Sequence, residues 1–221
     1  MTLEPEDQEI VDFARAGGRS EALERFVARH GPRLAAACRR LGGSVAEGED
    51  TMQELLVQVD RSLPTFRSES SLYSWAFRIA VHVSLNRRRN LAARATHVDV
   101  VDAEGRLVAG ERDGGDPDFS CVSSFRSWLV EQALLALPEA QRTALTLHDL
   151  EEMTAAEAGA LLGIDANAVK QRVHRARRNL RQRIAREFAA RGVALEAMDE
   201  IGCVSGLFAE SAASGLPARP S

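Results

Sequence analysis

The feature that most constrains this chain is a helix-turn-helix outline followed by a long basic run, within residues 153–191. Thr154 and Glu157 stand at capping-box spacing, in which the hydroxyl and the carboxylate each satisfy an otherwise orphaned backbone N–H, so a helix is expected to start at Thr154. Gly163 supplies the permissive backbone that ends it, and Asp165 can cap a second helix. In that second helix Val169, Val173, Ala176, Leu180, Ile184 and Phe188 recur at three- and four-residue steps and form one apolar stripe. Lys170, Gln171, Arg172, His174, Arg175, Arg177 and Arg178 fill the rest. The charge at the front of the helix is all positive, with Glu187 the first acid, whereas a merely solvated face usually mixes signs. Arg and Lys match guanine edges or phosphates, and Asn and Gln match adenine. Asn167, Lys170, Gln171, Arg172, His174, Arg175 and Arg178 are therefore the candidate contacts to duplex DNA. The alternative is a solvated amphipathic helix.

Composition sets the class. With 45% hydrophobic residues the chain can build real cores, and at 221 residues it has room for one large or two small domains. A net charge of -4 excludes a globally basic nucleic-acid coat, so DNA contacts must come from local patches. Few aromatics and many Ala, Leu and Arg favour an all-helical protein. Cys38, Cys121 and Cys203 are too widely spaced for a zinc motif or a disulfide framework, so no metal or cofactor is expected. The acidic N-terminus lacks the apolar segment of a signal peptide. No apolar run approaches the roughly 18–20 residues that span a bilayer. The expectation is a cytoplasmic protein without membrane insertion.

In chain order, residues 4–15 have a short helical pattern. Ser20, Leu23, Phe26 and Val27 open a firmer helix, which Gly31 and Pro32 are expected to interrupt or kink. Leu34, Ala37, Cys38 and Leu41 continue the apolar face, and Gly42, Gly43 and Ser44 break the chain. Glu47, Glu49 and Asp50 suit a helix N-terminus. The stripe of Met52, Leu55, Leu56, Val59 and Leu63 follows, and Pro64 ends it. Ser70 or Ser71 can cap the next helix, with Leu72, Trp75, Ile79, Val83 and Asn86 placed on one side. Phe66, Tyr73, Trp75 and Phe77 crowd ahead of Arg87, Arg88 and Arg89. Stacking platforms beside phosphate-neutralising cations are what single-stranded nucleic acid needs. Trp75 is expected in the core, and Phe66 and Tyr73 are expected exposed. The pattern dissolves across residues 92–124, an acidic Gly- and Asp-rich stretch that reads as a flexible linker. It returns with Trp128, Leu129, Ala133, Leu134 and Leu137, and Pro138 and Glu139 start another helix. Residues 192–221 read as an extension, with Val193, Leu195, Met198 and Ile201 on a short helix before a disordered end. The expected organisation is thus two small helical domains, 1–91 and 125–191, joined by the linker. His30, His82, His97, His148 and His174 are scattered without persuasive partners, so no catalytic residue is assigned and an enzyme is not expected.

Two blocks resemble one family. Across residues 22–89, Glu49, Asp50, Gln53 and Glu54, then Phe66, Arg67, Ser71, Leu72, Tyr73, Ser74, Trp75, Arg78, Ile79 and Ala80, are similar to the second region of bacterial sigma factors of the extracytoplasmic-function class. Across residues 134–184, Ala136, Leu137, Pro138, Gln141 and Arg142 resemble the fourth region. So do the residues from Gly159 to Ile164, and Val169, Lys170, Arg172, His174, Arg175, Ala176 and Arg177. The resemblance implies a non-enzymatic alternative sigma factor. Such a protein carries core RNA polymerase to a promoter, contacts its clamp and flap, and helps melt the DNA. By the same resemblance Asp50, Gln53 and Glu54 hold polymerase. Phe66, Tyr73, Trp75, Arg78, His82, Arg87 and Arg88 read and melt the downstream element. The basic helix reads the upstream element as duplex. An anti-sigma factor is a candidate further partner. His82 stands where the family often has Asn. A stand-alone helix-turn-helix regulator, with the first block as sensor or dimerisation domain, is the competing reading.

Overall fold

The computed structural model describes residues 3–95 and 122–190, with side chains for 3–91 and 128–187. The sequence-expected linker core, the tail beyond residue 190, His97, Cys121, Cys203 and the Phe188 side chain lie outside them. Among the described residues there is no strand. The helices are α1 (Pro5–Arg15), α2 (Arg19–Gly42), α3 (Val45–Ser62), α4 (Leu72–Ala95), α5 (Val122–Leu135), α6 (Glu139–Leu145), α7 (Ala155–Leu162) and α8 (Ala166–Ala190). The chain divides into two compact units, the first built on α1–α4 and the second on α5, α6 and α8. The segment 92–124 thus begins in the last turn of α4 and ends in the first turn of α5.

In the first unit α2 is the spine, packed against α1, α3 and α4. Of the interruption or kink expected at Gly31 and Pro32, the interruption does not occur: α2 runs through Pro32 as one helix. Pro32 is exposed, while Ala22, Phe26, His30, Leu34, Ala37, Cys38 and Leu41 are all buried. Their spacing makes one continuous stripe only if the helix continues. Burying apolar groups on both sides of the proline outweighs its cost of about 3 kcal/mol in a helix interior. Gly43 ends α2 in the left-handed region, at φ 93°, and the Ser44 hydroxyl accepts the Glu47 N–H at 3.2 Å to start α3. A Cβ on Gly48 would lie 2.6 Å from the Arg39 Cα, so this glycine lets α3 approach the α2 backbone. After α3 a 3-10 turn, Leu63–Thr65, carries Pro64. Ser71 then caps α4, its hydroxyl accepting the Ser74 N–H at 3.1 Å.

The second unit closes α5, α6 and α8 around Leu129, Leu134, Leu137, Leu145, Leu147, Val169, Val173, Ala176, Leu180 and Ile184, all buried. The end of α5 leaves carbonyls that no helical N–H can reach. Buried Arg142 supplies donors, its Nη1 reaching the Leu135 and Leu137 carbonyls at 3.1 and 3.0 Å. After α6 the chain loosens into a π-helical turn, Thr146–Leu150, and then reaches the capping box.

Candidate nucleic-acid interface

The capping box forms as its spacing predicts. The Thr154 N–H donates to the Glu157 carboxylate at 2.9 Å, and the Glu157 N–H donates to the Thr154 hydroxyl at 3.2 Å. Gly163 turns the chain at φ 67°. The Asp165 carboxylate accepts the Asn167 and Ala168 N–H groups at 2.8 and 2.9 Å, so α8 begins with its first donors satisfied.

Because Val169, Val173, Ala176, Leu180 and Ile184 are all turned inward, the opposite face of α8 is fixed by helix geometry. On it Asn167, Lys170, Gln171, His174, Arg175 and Arg178 are exposed, and Arg172 is half-buried on the flank. Beyond the residues expected from sequence, the exposed face continues through Gln182 and Arg186. The same three- and four-residue step from Arg178 would have found both. Arg177, which the sequence placed off the apolar stripe without assigning it to DNA, is half-buried: its Nε and Nη2 donate to the two carboxylate oxygens of Asp149, each at 2.8 Å.

On α4 the structure corrects the assignment of the aromatics. Phe66 and Tyr73, expected exposed, retain only 5% and 8% of their surface, while Trp75, expected in the core, is half-buried. Both α2 and α3 pack on α4, so its buried arc spans about half the helix and takes in Leu72, Tyr73, Ala76, Phe77, Ala80, Val81, Val83 and Ser84. Tyr73 lies in that arc. Its ring stacks with Phe77 at 6.2 Å, and the Arg33 guanidinium covers it at 3.8 Å. Trp75 falls outside the arc, with the Phe66 ring 5.0 Å away as its support. Asn86, placed by sequence on the apolar side, is exposed, as are Arg78, His82 and Arg89. Helical spacing sets Trp75, Arg78, His82, Asn86 and Arg89 along one outward strip. Asn86 and Arg89 belong to this strip because the apolar face of α4 runs through Ala76 and Ala80, which are buried, rather than through Trp75 and Ile79, which are half-buried. Just before α4, Ser68 holds a left-handed backbone at φ 58°, uncommon for a residue other than glycine.

The arginine run at the end of α4 is not uniform. Arg87 pairs with Asp50 at 2.5 Å and stands 3.9 Å from Glu54, tying α4 to the outer face of α3. Arg88 is half-buried, and Arg89 is exposed. Asp50, Gln53 and Glu54 are all exposed on α3. Two histidines that looked unpartnered do have carboxylates. His30 Nε2 lies 2.9 Å from Asp7 between α1 and α2, and His148 Nδ1 lies 2.6 Å from Asp149. Neither cluster includes a nucleophile. Among the described residues no group of three or more His, Cys, Asp or Glu side chains converges as a metal would require, and no helix is long and apolar enough to cross a membrane.

Comparison with known proteins agrees with this geometry. Residues 26–94 match the sigma-70 region 2 family, and residues 127–180 match sigma-70 region 4. The ECF RNA polymerase sigma factor SigW of Bacillus subtilis is 28% identical over 170 residues, covering 76% of this chain and 91% of that protein. The ECF RNA polymerase sigma-E factor of Haemophilus influenzae is 29% identical over 181 residues, covering 80% of this chain and 95% of that one. The fold is similar to that of the sigma factor RpoE, solved in complex with the anti-sigma factor NepR from Bartonella quintana. That likeness has a TM-score of 0.53 at 22% identity over 73% of this chain and 96% of the other. A stand-alone helix-turn-helix regulator does not account for the region 2 match. The chain belongs to the sigma-70 family, as an alternative sigma factor of the extracytoplasmic-function class that directs transcription initiation.

Proposed function

We propose a division of labour among three outer faces. The exposed face of α3, with Asp50, Gln53 and Glu54, engages the clamp of core RNA polymerase. The outward strip of α4, with Trp75, Arg78, His82 and Asn86, reads the downstream promoter element as it melts. The exposed face of α8 reads the upstream element as duplex. The observation that carries this reading is the α8 face itself: a row of exposed amide and cationic side chains set against a fully buried apolar stripe. Arg175, Arg178 and flanking Arg172 suit phosphates; Asn167, Lys170, Gln171 and His174 suit base edges. Phe66 acts beneath Trp75 rather than as a platform of its own. Arg87 acts through its pairing with α3. Tyr73 supports the helix from within, and Arg88 lies on its flank. The protein works in the cytoplasm, where polymerase and promoter are, without chemistry of its own, and an anti-sigma factor is a further partner. Residues 92–124 link the two readers, and residues 192–221 add a segment through which activity is regulated.

The test is reconstitution. Added to core polymerase free of other sigma factors, the chain is expected to give promoter-dependent transcripts. Gln53→Ala combined with Glu54→Ala is expected to weaken polymerase capture with the helical circular dichroism intact. Unchanged capture would sink the α3 assignment, and absence of any promoter-dependent transcript would sink the whole reading.

A further inference from the structure

The α8 helix must present its reading face at a fixed rotation and height, because a side chain reads a base edge only within hydrogen-bond reach. The buried stripe of α8 is aliphatic, and aliphatic packing alone resists rotation only as well as its shapes interlock. Two polar contacts add to it: Asn179 Nδ2 donates to Gln141 Oε1 of α6 at 2.8 Å, a single bond between neutral amides, and Arg177 grips Asp149. The Asp149 side chain is 3% exposed, and both of its oxygens are taken by the Arg177 fork at 2.8 Å. His148 Nδ1 lies 2.6 Å from the Asp149 Oδ1. A planar guanidinium facing a carboxylate through two parallel bonds fixes orientation as well as distance. Asp149 is placed there by the π-helical turn at the end of α6, where the chain departs from regular helix.

Arg177 lies three residues beyond His174 and six beyond Gln171, about 4.5 and 9 Å along the axis at the rise of an α-helix. It stands roughly a quarter-turn away from the reading face. We infer that the Asp149–Arg177 fork is a positioning device for sequence reading: it sets the register of α8, and so the base-reading side chains, without touching DNA. The inference rests on the assignment of α8 to the upstream element. It separates two terms that ordinary loss of fold would move together. Phosphate binding tolerates small shifts of long cationic side chains and depends on the number of charges. Base discrimination does not tolerate such shifts.

The experiment uses the full chain assembled with core polymerase. The probes are a duplex promoter selected from a library randomised in the upstream element and the same duplex with that element scrambled. The variants are Asp149→Asn, which removes the charge at nearly constant size, and Arg177→Lys, which keeps the charge and loses the fork. The wild-type assembly is expected to prefer the selected duplex. Both variants are expected to lose about tenfold of that preference, the scale of one misplaced bidentate base contact, while affinity for the scrambled duplex stays within about twofold of wild type. Binding that falls equally on both duplexes would reassign the pair to holding the fold. A preference retained by both variants would overturn the positioning role and leave upstream reading intact. A wild-type assembly with no preference would bring down upstream reading and this inference with it.

Discussion

Helices α4 and α8 are nearly the same length, 24 and 25 residues, and both turn a polar face outward, yet they are built differently. α8 is covered by α5 and α6 along one stripe, and everything off that stripe is exposed or on its margin. α4 is wedged between α2 and α3, and its buried arc covers about half of the helix. A helix packed from one side advertises its free face as the complement of a single apolar period. A helix packed from two sides is apolar over about half of its surface, so no single apolar period marks its free face, and in α4 the strip left outside the arc includes Trp75. The narrow stripe leaves α8 a broad basic face suited to a duplex. The wide arc leaves α4 a narrow strip in which an aromatic ring stands among polar side chains, suited to unstacked bases.

The largest effect expected from this contrast is on stability. Tyr73→Ala removes a ring buried against Phe77 and capped by Arg33, and should cost about 3–5 kcal/mol in denaturant unfolding, as large-to-small changes of buried aromatics do. Trp75→Ala, on the half-buried side, should cost well under half of that and instead impair promoter opening. The reverse order of stabilities would mean that the outward strip has been drawn on the wrong side of α4.

Next comes the split within α8. Gln171→Ala should cost about 1–3 kcal/mol and relax one position of the upstream element. Arg175→Ala and Arg178→Ala should each weaken all sequences alike and lower the slope of log affinity against log salt by about 0.9. Uniform weakening by Gln171→Ala would cancel its assignment to a base edge.

A subtler change is expected at His82, exposed on the α4 strip. A neutral imidazole offers one donor and one acceptor, and becomes a double donor on protonation, whereas an amide keeps both roles. His82→Asn should therefore change the preferred base in a randomised downstream element and leave the upstream preference alone. Identical base preferences in the two proteins would make His82 a solvated bystander.

The smallest effect concerns Cys38, wholly buried on α2. Burial pushes its thiol up from 9.0 to about 12, so the native fold prefers the neutral form. Its contribution to stability is complete below about pH 9 and is lost as the pH rises toward 12. Thiol labelling of native protein at pH 8 should accordingly be slow and accelerate with denaturant. Labelling at the rate of an exposed thiol would contradict the buried position.

What the sequence made legible follows the same contrast. The capping box, the Gly163 turn, the Asp165 cap and the inward residues of α8 were all readable, because each is a local pattern with one physical solution. The class of fold was readable as well, from composition together with helical periodicity. The continuous path of α2 through Pro32 was not, since local propensity opposes it and only the aligned burial of residues on both sides reverses the balance. The burial of Tyr73 and the half-exposure of Trp75 were not readable either. They depend on α2 and α3 both meeting α4, and no window of the α4 sequence contains that fact. Arg177 looked like one more cation on the basic face. Its pairing with Asp149 spans 28 residues and becomes visible only with the π-helical turn in place.

The proposed division of labour has α8 reading duplex while the outward strip of α4 reads DNA only once it has opened. The most direct measurement places a photo-crosslinking side chain at Gln171 or at Arg78, in the full chain bound to core polymerase. Labelling is then followed on one promoter before and after melting. The probe at Gln171 is expected to label the upstream element in both states, and the probe at Arg78 to label the downstream element strongly only when it has melted. Equal labelling of the closed downstream duplex by the probe at Arg78, or labelling of the upstream element by it, would rule out this division between the two helices.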